Sequence, residues 1–209
     1  MKMKKRLFGI LLSLVLALGL LPGMSLTAYA TTETYTNLMN NKTVVKFNNH
    51  DWYIIADDST ATGGTVTLLA ADTSFGTSAF DSTAQCSNAY SGSTVKSNLD
   101  ALTAEDGAFA SVKDAIADTD LSDVGVTGAK LYLLSTSEAE PYANFKFTGV
   151  DLGGWWLRSP GLYDGWKAAV VYGESGRIDY DGLHVRNIVY GVRPALSDLL
   201  RKGVDRYVS

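Results

Sequence analysis

The run Trp155-Trp156-Leu157-Arg158-Ser159-Pro160-Gly161 is followed about thirty residues later by Gly191-Val192-Arg193-Pro194-Ala195-Leu196. These two segments are the most densely specified part of the chain. Adjacent tryptophans on a strand point to opposite faces, so one enters the core while the other packs beneath a loop. Each ring buries roughly 150–250 Å². Arg158 and Arg193 sit inside apolar runs. A buried guanidinium needs carboxylate or carbonyl partners, because an unpaired buried charge costs about 3–5 kcal/mol. Both arginines therefore read as internal ties between loops. Trp155, Trp156 and Pro194 join them as structural residues.

Working outward, the segment between the two motifs has a hairpin pattern. Trp166, Ala168, Val170 and Tyr172 alternate with Lys167, Ala169 and Val171. Gly173-Glu174-Ser175-Gly176 turns the chain into Arg177-Ile178-Asp179-Tyr180, and Asp181-Gly182 reads as a second turn. Upstream, Val44-Val45-Lys46-Phe47, Trp52-Tyr53-Ile54-Ile55-Ala56 and Thr65-Val66-Thr67-Leu68-Leu69-Ala70 predict a small antiparallel meander, with Asn48-Asn49 as its first turn. Residues 72–92 predict a long loop pinned by Phe75, Phe80 and Tyr90. Ser93 caps a predicted helix carrying Val95, Leu99 and Leu102. A second helix is predicted through Phe109, Val112, Ile116 and Leu121. A strand is expected over Ala129–Leu134. Ser135 and Glu138 form a capping box for a short helix that stops near Pro141.

The first thirty residues read as a secretory signal peptide. Lys2, Lys4, Lys5 and Arg6 precede the apolar run Leu7–Leu21, and Ala28-Tyr29-Ala30 is a small-x-small cleavage site. The run is shorter than the roughly 20 residues of a spanning helix, so no membrane span is expected after cleavage. With a polar lead-in over residues 31–42, residues 43–209 read as one domain. The leader holds four of the 18 Lys and Arg and none of the 22 Asp and Glu, so the remaining 179 residues carry 14 against 22, or −8. An acidic chain without a basic cluster argues against nucleic acid and anionic membranes as partners. The single cysteine, Cys86, makes an internal disulfide impossible.

The two C-terminal motifs, with Phe47, Trp52-Tyr53-Ile54-Ile55, Thr67-Leu68-Leu69 and Leu131-Tyr132-Leu133-Leu134-Ser135, resemble an uncharacterised secreted domain family of anaerobic Firmicutes. The resemblance covers roughly residues 43–196. More distantly, Trp156-Leu157-Arg158-Ser159 and the closing Gly191-Val192-Arg193-Pro194-Ala195 are similar to the formylglycine-generating-enzyme version of the C-type-lectin-like fold. That resemblance implies an α+β fold with short antiparallel sheets, two or three helices and long loops.

The chemistry of that wider group is not matched. Formylglycine-generating enzymes use paired cysteines, and this chain has one. Related iron enzymes need a histidine cluster, and His50 and His184 are the only two histidines. Glu140-Pro141 is followed by Tyr142 and no Trp-Asn-Asp occurs, so calcium-dependent sugar binding is not supported. No metal or cofactor is expected. What remains is composition. Tyr163, Asp164, Trp166, Asp179, Tyr180, Asp181, His184, Arg186, Asn187 and Tyr190 crowd the segment between the motifs. Stiff rings and short polar groups are what recognition surfaces use. The expectation is a secreted, non-catalytic module that binds an extracellular glycan or protein. The alternatives are a hydrolase using a carboxylate pair from the same acidic region and a structural cell-surface protein.

Overall fold

The computed structural model describes residues 34–60, 63–71, 74–145 and 154–200. The leader expected over residues 1–30 lies outside them. Three strands open the fold: β1 (Val44–Phe47), β2 (His50–Thr60) and β3 (Gly63–Ala70). Asn48 and Asn49 turn the first hairpin with φ of 48° and 64°. Asparagine tolerates this left-handed backbone better than most residues. Trp52 is fully buried, and its indole N–H donates to the Phe47 carbonyl at 3.0 Å.

The closing motif supplies β10 (Pro194–Leu199), which lies antiparallel to β3 with Ala195 opposite Leu69 and Leu196 opposite Leu68. Its other flank pairs with β6 (Tyr132–Leu133). The sheet order is therefore β1-β2-β3-β10-β6. Pro194 is tolerated because it stands at the first position of its strand.

The tryptophan motif forms β7 (Gly154–Pro160), the edge of a second antiparallel sheet with β8 (Lys167–Tyr172) and β9 (Ile178–His184). The two motifs meet directly. Gly191 donates to the Gly154 carbonyl at 2.8 Å, and Trp156 N–H donates to the Gly191 carbonyl at 3.1 Å. Trp156 packs on Phe80 and Tyr190, and its indole donates to Ser78 in the long loop at 2.8 Å. Trp155 lies under Arg193, whose guanidinium carbon sits 5.0 Å from the ring centroid.

Both arginines tie loops from inside. Arg158 is buried and pairs with Asp123 at 2.9 Å and with both oxygens of Glu138, while also donating to the Leu133 carbonyl at 3.0 Å. Burial works against its charge, but the two carboxylates outweigh burial and hold its pKa above the usual arginine value. Arg193 is fully buried and donates to the carbonyls of Ala70 at 2.8 Å and Phe145 at 3.2 Å. Burial lowers its pKa to about 9, so it stays a cation at neutral pH.

Three α-helices are present among the described residues: α1 (Tyr35–Asn40), α2 (Thr94–Leu102) and α3 (Thr136–Ala139). α1 falls inside the expected lead-in and buries Leu38 in the core. α2 starts at its Ser93 cap, and α3 carries the full Ser135–Glu138 capping box. The second predicted helix is a short 3-10 segment, Ala110–Ala115. Its expected continuation is pulled into extended structure, because Ala117 N–H donates to Ser197 of β10 at 2.8 Å and Ile116 bridges Asp198. Leu121 ends a small strand instead, β4 (Thr119–Leu121), paired with β5 (Val126–Ala129). The strand expected over Ala129–Leu134 is thus divided between β5 and β6. No helix among the described residues is long and apolar enough to cross a membrane.

Candidate functional site

Of the residues singled out between the two motifs, Tyr163, Asp164, Trp166, Tyr180 and Asp181 gather where the β7–β8 loop meets β9, at one end of the β7-β8-β9 sheet. The shape of that end comes from a bulge in β9. Asp179 pairs with Val170, but the next pairing is Leu183 with Ala168, so the β9 backbone arches between them. Gly182 permits this with a φ of 74°, and a Cβ there would lie 2.4 Å from the Ala168 carbonyl oxygen. Asp179 fixes the arch. Its Oδ2 accepts from the Tyr172 hydroxyl at 2.7 Å and its Oδ1 from Gly182 N–H at 3.3 Å.

The β7–β8 loop folds onto this arch. Gly161 N–H donates to the Lys167 carbonyl at 2.7 Å, and Leu162 N–H donates to the Tyr180 carbonyl at 3.1 Å. A Cβ on Gly161 would stand 2.3 Å from the Asp181 carbonyl oxygen, so glycine allows the close approach. Asp164 and Lys167 pair at 3.0 Å within the loop. From the other side, Asn88 holds Gly165 through its N–H at 2.8 Å and Asp164 through its side chain at 2.9 Å.

A rigid mount therefore presents apolar side chains to solvent. Leu162 is 66%, Tyr163 77%, Trp166 53% and Tyr180 43% exposed. The Tyr180 hydroxyl donates to Glu140 Oε1 at 2.8 Å, and that bond holds the phenol's pKa above its usual value. Asp181 is exposed beside it. Glu140 and Leu162 belong to this end, and sequence reasoning did not place them there. Glu140 follows α3, forty residues before Tyr180 in the chain, and no local pattern announces that contact.

The other expected residues stand differently. His184 Nδ1 accepts from Arg186 N–H at 3.3 Å, which puts the proton of a neutral ring on Nε2, 4.0 Å from Cys86 Sγ. Arg186 donates to the Thr83 carbonyl at 3.1 Å, and Asn187 Oδ1 accepts from Val189 N–H at 3.1 Å. Arg186 thereby ties the β9–β10 connection to the Asp81–Asn88 loop, with His184 near Cys86, while Asn187 bonds within the connection itself. Tyr190 corrects the expectation. Expected on the exposed surface, it is only 8% exposed, with its ring 5.3 Å from Trp156, and it packs in the core. Tyr190 follows exposed Ile188 and Val189, but Ser78 N–H donates to its carbonyl and draws the chain inward. Among the described residues, no group of three or more His, Cys, Asp or Glu is placed to hold a metal ion.

No protein-family model, curated protein or solved structure matches the chain. The functional reading therefore rests on this geometry.

Proposed function

We propose that the chain is a secreted, non-catalytic binding module of C-type-lectin-like architecture, which holds an extracellular glycan or protein on the face carrying Tyr163, Trp166 and Tyr180. The observation that carries this reading is the exposure of three aromatic side chains on one hydrogen-bonded loop-and-bulge mount. Large rings are costly to leave in water, and aromatic side chains anchor recognition surfaces because they bury much area with few rotatable bonds. Short sheets, few helices and long loops support the architecture. The basic, apolar N-terminal run with Ala28-Tyr29-Ala30 supports secretion. Asp181 and Asp164 offer polar selection around the rings. Asp179 supports the mount from within.

The test replaces both Trp166 and Tyr180 with alanine and screens wild type and variant against arrayed glycans and extracellular proteins. Neither side chain is buried, so the variant is expected to keep the wild-type melting temperature within about 2 °C, the effect of an ordinary surface change. Its affinity is expected to fall at least tenfold, as for loss of paired aromatic anchors. Equal affinity in a folded double variant rules this face out.

A further inference from the structure

Tyr172 shows how this chain handles a cation with a phenol and a carboxylate. Its hydroxyl donates to Asp179 at 2.7 Å while the Arg177 guanidinium carbon lies 4.9 Å from the ring centroid. The hydrogen bond fixes the ring and sets a negative charge at its rim. A cation over the ring then meets both the electron-rich face and the carboxylate. Tyr180 repeats half of this arrangement. Its hydroxyl donates to Glu140 at 2.8 Å and its ring is 43% exposed, while the cation–π contacts among the described residues involve other rings. Asp181, the next residue in the chain, is also exposed. Lys167, the first residue of β8, is already paired with Asp164. The whole chain carries a net charge of −4, which attracts cationic ligands.

We propose that Tyr180 and Glu140 receive an arginine or lysine side chain of a basic peptide segment in an extracellular partner. The inference rests on the reading of this face as a binding surface and narrows it to one ligand chemistry. Arginine suits the site better than lysine, because a planar guanidinium stacks on a ring as Arg177 does on Tyr172. Leu162, 66% exposed and hydrogen-bonded through its backbone to Tyr180, supplies apolar contact for the aliphatic stem.

The experiment titrates the purified protein with a short alternating glycine-arginine peptide, using the same peptide with glutamine for arginine as control. Tyr180 ring resonances and affinity are followed together. The expected result is an arginine-dependent shift at Tyr180 that weakens with added salt. Glu140→Gln, a change at an exposed position, is expected to weaken binding by up to about fivefold, the range of an exposed ion pair. Absence of a Tyr180 shift in folded protein, or equal binding of the glutamine peptide, overturns the proposal. A neutral glycan that loses binding in the Trp166→Ala/Tyr180→Ala variant, with no arginine-dependent binding of the peptide, preserves the binding face and overturns the cation site. Failure of every ligand at this face removes both.

Discussion

Asp81 shows how far a single side chain can govern the site without belonging to it. It is buried and accepts four hydrogen bonds: Thr83 N–H at 2.9 Å, Thr83 hydroxyl at 2.8 Å, Ser87 N–H at 2.8 Å and the Thr94 hydroxyl at 3.4 Å. These bonds shape the loop whose Asn88 props the β7–β8 turn and whose Thr83 receives Arg186. Burial acts to raise the pKa of Asp81, but the bonds from Ser87, Thr83 and Thr94 outweigh it and leave the carboxyl below its ordinary value. A carboxylate with a depressed folded pKa stabilises the fold above its unfolded pKa, about 3.9, and that contribution is lost as pH falls through the lower folded value. Asp57 is lowered in the same way, burial again being outweighed by bonds from Ser59 and Thr36. The wild-type loss in acid is therefore shared. Asp81→Asn is expected to be less stable than wild type at pH 7 and to show a flatter fall in melting temperature between about pH 4 and pH 2. Parallel melting curves for the two proteins across that range would show that Asp81 contributes no pH dependence. Its Asp-Ser-Thr context was read from the sequence as loop, but the three partner residues come from the loop and from α2, a convergence that no local pattern encodes.

At the scale of elements, the local signals were sound where an element is closed by its own side chains. α2 and α3 begin at Ser93 and Ser135 because each hydroxyl accepts a backbone N–H three residues on. The signals failed where a distant strand decides. Ile116 has helical spacing but is claimed by β10, and Asp181-Gly182 has turn chemistry but sits inside β9. There Gly182 supplies its positive φ to a bulge, because the ladder resumes at Leu183. That bulge lifts Tyr180 and Asp181 toward the loop at Leu162. Gly182→Ala places a Cβ against the Ala168 carbonyl in a left-handed backbone. It is expected to cost about 1–3 kcal/mol in chemical denaturation, the strain of such a residue. It should also weaken any ligand held at Tyr180. A variant with wild-type stability would mean that the arch relaxes without strain.

Across the whole molecule, the two signature motifs act as one joint. Gly191 bridges β7, while two residues later Arg193 stacks on Trp155 of β7 and donates to Ala70 at the end of β3. The sequence marked these residues as structural because arginine and tryptophan in apolar runs demand partners. It could not say that the partners lie in different sheets. The binding face was legible in the same limited way. Tyr163, Trp166 and Tyr180 stood out by type, whereas Glu140 enters through tertiary folding alone. The joint predicts how the protein unfolds. β10 runs between β3 and β6 in the larger sheet, and its leading residues carry the smaller one. Loss of either sheet thus removes the seat of the other, and unfolding should be two-state. Tryptophan fluorescence reports Trp155 and Trp156 in the smaller sheet together with Trp52 in the larger, and far-ultraviolet circular dichroism reports both sheets. The two melting curves are expected to coincide. Arg193→Ala leaves the Ala70 and Phe145 carbonyls without a charged donor and opens space over Trp155, at a cost of about 3 kcal/mol. Both curves should move together to lower temperature. A variant in which the two probes separate would show that the sheets fold independently and that Arg193 only fastens them.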